Sequence, residues 1–419
     1  MMQARCLITV DRYIGHIGIA LGLLERLPPS QWQADRELDL QIALGAPLIA
    51  TKGFAAPEVE VAYSRAEHLA RHLCDKKRLA TALRGLCYLH HVRARFQRTD
   101  EFSMELVELA QRSDDLLQIA EAHNARAFNL YHMGRHLPTW DHLQKSREAI
   151  ERGSLANAFS LGVNIEIFRQ AYSSHCLWHL GYPDRALETA EGAIGFAQRL
   201  AHPFSTVLSL AYAAMLNQFC RQPHQLRERA EAALEACIEH GFTYYRAWAT
   251  ILLGWASAEE GSLDEGIRRV GEGIRDLNAT GAELRLPYYL GIEADLRRRR
   301  GQFDEASAVL AEALVAAERN GECWDDPNLQ LLKGELDLAA TASEAAEAAS
   351  WFYRAIDTAR SQQAKSLELR AATSLATLWA QQGKRREARD LLAPVYEWFT
   401  EGFDTPDLIE ANALLDKLA

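Results

Sequence analysis

The stretch from Leu253 to Ile274, LGWASAEEGSLDEGIRRVGEGI, decides how the rest of the chain is read. An apolar run stops at Gly261, the acidic pair Asp264-Glu265 follows, and a second amphipathic run begins. Leu263, Ile267, Val270, Ile274 and Leu277 recur at intervals of four and three, which lays one apolar stripe along a helix. About 40 residues further on the pattern returns in RRRRGQFDEASAVLAEAL, residues 297–314. The stripe there is Phe303, Ser307, Leu310, Leu314 and Ala317. Gly266 and Gly273 are matched by Ala306 and Ala313, so the same close helix packing is expected in both copies.

Self-similarity at a fixed spacing points to a repeat architecture. Glycines or polar breaks fall at Gly134, Gly181, Gln222, Gly261, Gly301, Ala342 and Gly383, mostly about 40 residues apart. A second series, Gly153, Ala201, Gly241, Gly281, Gly321 and Ala364, interleaves with the first. Each repeat therefore carries two stops and two helices. A helix commonly ends on a left-handed residue, a conformation that glycine tolerates best. Ser262 with Glu265 offers a capping box, and Pro183-Asp184 suits a first helical turn. The expected architecture is all-α, about nine helix pairs from near residue 17 to 400. An irregular leader is expected over about 1–20 and a capping helix over about 405–419. Residues 1–419 read as a single right-handed superhelical solenoid. Two globular helical domains meeting near residue 153 are the alternative.

The residues Leu253-Gly254, Gly261 and Leu263-Asp264-Glu265, with small residues at 266 and 273, resemble a tetratricopeptide repeat. The period is about six residues longer than usual, and Ser257 stands in place of the usual aromatic. Three longer stretches resemble something more particular. They are LDLQIALGAPLIATKGFAAPEVEVAYSRA (38–66), GFTYYRAWATILLGWASAEEG (241–261) and the C-terminal segment from Gln362 to Ala419. They are similar to the C-terminal helical-repeat region of bacterial signalling proteins that join a cyclase or winged-helix domain to a signalling ATPase. The repeat region of maltose-regulator-type transcription factors is comparable. The resemblance implies a regulatory repeat module, with a signalling ATPase, cyclase or regulator as its partner. It also leaves open that the chain is a truncated remnant or fragment of such a multidomain regulator. No Gly-x-x-x-x-Gly-Lys-[Ser/Thr] phosphate loop occurs: Gly383-Lys384 is followed by Arg385, and Leu378 stands where the first glycine belongs.

Composition narrows the function classes. The chain has 419 residues, of which 48% are hydrophobic and 25% charged, as in ordinary folded proteins. Its formal charge of −11 argues against nucleic-acid or anionic-membrane partners, which need concentrated positive charge. The seven cysteines form no Cys-x-x-Cys and read as small apolar residues of a reducing compartment. No run of 18 apolar residues occurs, and Asp11, Arg12 and His16 break the apolar N-terminal stretch. A cytoplasmic location is expected.

Four features invite a chemical reading. Arg297 to Arg300 end a helix, where basic side chains complement the macrodipole by about 0.3–1 kcal/mol each. Four consecutive residues also spread around a helix, so they are read as helix-end charge, not as a site. His68/His72, His132/His136 and His175/His179 are i, i+4 pairs that place two ligands on one face. A metal needs a third or fourth ligand, and no metal is expected. No Gly-x-Ser-x-Gly elbow and no protease-like cysteine context occurs, so no catalytic residue and no cofactor is assigned. Aromatics remain: FTYYRAW and LPYYLG put Tyr244, Tyr245, Trp248, Tyr288 and Tyr289 at the starts of successive first helices, beside Arg246 and Arg285. They fit either the core between repeats or a groove for a protein segment or small effector. The expected function is a non-catalytic interaction or sensor module.

Overall fold

The computed structural model describes residues 2–340 and 345–419, with the side chains of 2–11 and 50 excepted. Among the described residues there are twenty helices and one short hairpin, an all-α repeat of tetratricopeptide-like helix pairs. The stop expected at Ala342 lies outside the described residues. The stretch read as an irregular leader is helical from Met2. The expected capping helix is Pro406–Leu418. The chain divides into two compact units, each drawn from three separate segments.

The first unit comprises residues 1–129, 142–166 and 277–284. It holds α1 (Met2–Leu24), α2 (Gln31–Lys52), α3 (Pro57–His72), α4 (Lys76–Val92), α5 (Phe96–Ala110), most of α6 (Leu116–His132) and of α7 (His136–Gly153). Its core gathers Leu38, Val59, Tyr63, Leu83, Leu86 and Leu106. Tyr63 is wedged between α2 and α4, where added Cβ atoms at Gly45 or Gly85 would overlap its ring. Glu283 and Leu284 donate their N–H groups to the Val92 carbonyl at the end of α4, at 3.0 and 3.1 Å. A hairpin, β1 (Phe159–Ser160) with β2 (Val163–Asn164), turns through Leu161 and Gly162, both at positive φ. It lies where both series of stops have their longest interval, Gly134 to Gly181 and Gly153 to Ala201.

The second unit comprises residues 130–141, 167–276 and 285–419. After α8 (Ile165–His179) and α9 (Pro183–Leu200) come regular hairpins. They are α10 (Pro203–Phe219) with α11 (Pro223–His240), α12 (Thr243–Glu259) with α13 (Leu263–Ala279), and α14 (Leu286–Arg300) with α15 (Phe303–Asn320). Next follow α16 (Asp326–Ala340) with α17 (Ala345–Gln362), α18 (Lys365–Gln381) with α19 (Arg385–Tyr396), and the capping α20 (Pro406–Leu418). The first helices touch in series, α10 to α12 to α14 to α16 to α18 to α20, and so form one continuous layer. Later loops of this unit reach back to earlier helices. Cys323 N–H donates to the His132 carbonyl (2.8 Å), Ser366 Oγ to the Trp178 carbonyl, and Gly402 N–H to Asp184 Oδ2 (2.9 Å).

The stops fall at or one place from their sequence positions. Gly134, Gly181, Gly261, Gly301, Gly383, Ala201, Gly241, Gly281 and Gly321 all sit at positive φ. At three stops an adjacent residue takes the left-handed conformation: Arg221 for Gln222, Ser154 for Gly153 and Gln363 for Ala364. The capping box is corrected as well. Ser262 N–H already donates to the Ser257 carbonyl (2.9 Å), and Glu265 turns to the Arg268 guanidinium instead of back to residue 262. Gly281 closes α13 at φ 76°, with Ala55 Cβ 3.6 Å from where a side chain would begin. Room is adequate there, so the cost of Gly281→Val is conformational: about 1 kcal/mol or more for a β-branched residue at positive φ. A lower thermal midpoint is expected. An unchanged midpoint removes the argument.

Candidate functional site

The layer of first helices in the second unit encloses a cavity of about 530 Å³. That is within the roughly 300–1,000 Å³ of small-ligand sites. Each helix contributes one face. From α14 come Tyr288, Gly291, Ile292, Asp295 and Arg298-Arg299, at helical spacing. From α16 come Asn328, Leu329, Leu331, Leu332 and Glu335, and α12 adds Trp255 and Glu259. The same repeat positions are used again and again: Tyr288 and Asn328, Ile292 and Leu332, Asp295 and Glu335 are each 40 residues apart. Gln218 and Arg221 at the end of α10, Thr373 and Ser374 of α18, and Glu410 of α20 complete the wall.

Charge on this wall is organised in pairs. Arg298 lies 2.7 Å from Asp295 and 3.2 Å from Glu335. Arg299 pairs with Glu259 and lies 3.6 Å from Asp295. Arg221 reaches Asp407 (3.3 Å) and Glu410 (2.7 Å), while Arg370 holds Asp407 (2.8 Å) and the Phe219 carbonyl. Burial pushes the Glu335 carboxyl above its ordinary range, and Arg298 opposes that shift. Half of the arginine run therefore belongs to the groove, a placement that the helix-end reading did not assign. Arg297 instead pairs with Glu293 on its own helix and Arg300 with Asp264.

Of the aromatic set, Tyr288 lines the cavity, its hydroxyl donating to Gln218 Oε1 (2.9 Å). Trp248 and Tyr289 are fully buried, Tyr245 is buried, Tyr244 is half-buried and Arg246 is exposed. None of these five lines the cavity. Arg285 is also buried, in a left-handed conformation (φ 65°). Its guanidinium sits over the Trp248 ring at 4.6 Å and donates to the Tyr212 hydroxyl at 3.0 Å. Its backbone N–H donates to Glu322, whose Oε1 also accepts from Trp324 Nε1 (2.9 Å) and lies 2.9 Å from His132 Nδ1. This buried network ties the loop before α14 to the loop before α16 and to the end of α6.

The histidine pairs divide. His68 and His72 are exposed. His132, His136, His175 and His179 converge in the core of the second unit, where His136 and His179 stack at 4.5 Å beside Tyr131, Phe219 and Trp324. Burial holds His136 and His175 well below the ordinary imidazole range and His179 at about 3. Among the described residues no group of three or more His, Cys, Asp or Glu is placed to hold a metal ion. No histidine or cysteine is found among the described residues that line the groove. No described helix is long and apolar enough to cross a membrane.

No family model matches the chain, and no curated protein sequence matches it either. Solved structures do. A Rap protein complexed with competence and sporulation factor superposes with a TM-score of 0.61 at 13% identity, covering 93% of this chain and 100% of that one. The apo form of the quorum sensor NprR from B. thuringiensis gives 0.51 at 13% identity, covering 87% of this chain and 97% of that one. At this identity the likeness is one of fold. The chain is an all-α helical-repeat protein with a tetratricopeptide-like fold.

Proposed function

We propose that this protein is a non-catalytic regulatory receptor that binds a short peptide or small effector in the groove of its first helices. The observation that carries the reading is the cavity itself. The first helices α12, α14 and α16 present corresponding repeat positions to one space, with apolar side chains between charged pairs, and α10, α18 and α20 add to its wall. Its titratable groups are largely locked in arginine–carboxylate pairs, an arrangement suited to recognition more than to proton transfer. The fold-mate solved with competence and sporulation factor and the one named a quorum sensor support a receptor role. On this reading the chain works in the cytoplasm and passes ligand occupancy to a signalling ATPase, cyclase or transcription regulator, attached or separate.

The purified chain should enrich peptides from a random short-peptide library, and a selected peptide should raise its melting temperature. Ser374→Trp fills the groove from α18, where Ser374 is only half-buried, so folding should be retained and peptide binding lost. Undiminished binding by a folded Ser374→Trp protein would place the ligand elsewhere.

A further inference from the structure

Four arginines and six carboxyl groups line the groove, so acid outnumbers base. Each arginine is held by at least one carboxylate, as described above. Asp325 stands apart. It is 4% exposed and faces the cavity, and its side chain accepts from Asn328 Nδ2 at 2.7 Å. Among the described residues no arginine or lysine comes within ion-pair distance of it. Arg370 of α18, whose field does reach it, is already held by Asp407 and the Phe219 carbonyl. Nor does the carboxyl cap its helix. The Asn328 and Leu329 N–H groups donate to the Asp325 backbone carbonyl instead, at 3.0 and 3.1 Å.

A buried carboxylate without a counter-charge is costly, and such a group neutralises or acquires a cation. We propose that the groove selects a short peptide carrying a basic side chain, whose ammonium or guanidinium group pairs with Asp325. The pairing rests on the peptide-binding reading and gives it a chemical preference. Tyr288 of α14 and Leu329 of α16 also line the cavity and would take the aliphatic stem of such a side chain. Burial pushes the Asp325 carboxyl up to about 8, with Asp326 and Glu322 raising it and Asn328 and Arg370 opposing them. Tyr288 is the titratable neighbour from α14, and burial keeps its phenol protonated. An arriving cation makes the ionised form the stable one. The Asp325 O–H bond then breaks, its proton passes to the buffer, and the carboxylate stays with the peptide cation.

Panning the random short-peptide library on the full chain tests this. Wild type should enrich Lys or Arg at one peptide position by about tenfold (about 1.4 kcal/mol), and Asp325→Asn should lose that preference while remaining folded. A basic preference that persists in Asp325→Asn, or enriched peptides without a basic position, overturns the pairing and leaves the peptide groove standing. No enrichment by wild type overturns both. Calorimetry of a selected peptide at neutral pH in two buffers of different ionisation enthalpy needs no variant. Proton release is expected, and its absence overturns the pairing. Spermidine binding as tightly as the selected peptide would replace the peptide with a free polycation and overturn the peptide assignment.

Discussion

Gly254→Val should destabilise the second unit by about 3 kcal/mol or more, within the range of overpacked cores and forced backbone shifts. Gly254 lies on α12 where that helix crosses α13. A Cβ there would stand 2.7 Å from Val270 Cγ2 and 2.9 Å from both the Gly266 carbonyl and the Val270 backbone nitrogen. Two of those three atoms are backbone, so no side-chain rotation relieves the clash. The contact is reciprocal. A Cβ at Gly266 would meet the Gly254 carbonyl at 2.7 Å, and one at Gly273 would meet Ile251 Cγ1 at 2.5 Å and the Ala247 carbonyl at 2.9 Å. The three glycines thus set the distance between two helices, and a branched side chain must push them apart. Because the first helices touch in series, the displacement also moves Trp255 and Glu259 in the groove wall. A unit of this size loses about 2–4 °C of melting temperature per kcal/mol, so a fall of about 6 °C or more is expected. A midpoint within 2 °C of wild type would show that α12 and α13 do not pack this closely.

Gly266 and Gly273 were legible from the repeat, because small residues recur there as closely packed hairpins require, and Gly254 from the tetratricopeptide resemblance. The helix pairs and the two series of stops were legible for the same reason: each is a local regularity. The groove-lining role of first helices came only from the resemblance to tetratricopeptide arrays. The facing of particular side chains was not. FTYYRAW places its aromatics near the start of α12, where neighbouring helices of several repeats surround them. The groove-facing positions of that helix come later, at Trp255 and Glu259. Comparing positions 40 apart would have exposed the wall, since Asp295 and Glu335 occupy one repeat position and both line the cavity. The arginine run hid the answer in another way: Arg298 and Arg299 face the groove while Arg297 and Arg300 turn to their own helix and to α13. The network of His132, Glu322 and Arg285 had no local signal at all, because it joins loops separated by up to 190 residues.

The pH dependence of stability should be flat in the middle and fall on both sides, an outcome that follows from the buried titratable groups of the second unit. Each proton bound differently by the folded and unfolded chains contributes about 1.4 kcal/mol per pH unit. His136, His175 and His179 have depressed folded-state values, so below about pH 6.5 the unfolded chain binds protons that the folded chain refuses. Their contribution is present above that pH and is lost as the solution becomes more acid. Glu322, Asp325 and Asp326 behave oppositely, since burial raises them to about 7, 8 and 6. Above about pH 4 the unfolded chain has shed these protons while the folded chain keeps them, and stability falls as pH rises through those values. Between about pH 4.5 and 6 three histidines and three acids nearly cancel. Above about 6.5 the histidines drop out, and Glu322 and Asp325 carry a decline to about pH 8. Below about 4 those three acids are protonated in both states, and the histidines, joined by the ion-paired carboxylates Glu260, Asp264 and Glu265, give a steep loss until His179 accepts its proton near 3. Thermal midpoints measured from pH 3 to 9 should therefore trace a plateau with a steep acid edge and a shallower alkaline one. Asp325→Asn should flatten the alkaline edge without moving the acid edge, because only the first depends on that carboxyl. A midpoint that climbs steadily through pH 8 would mean that Asp325 and Glu322 are ionised in the folded chain. In that case Asp325 is ionised before any peptide arrives, and the proton release expected on binding would not occur.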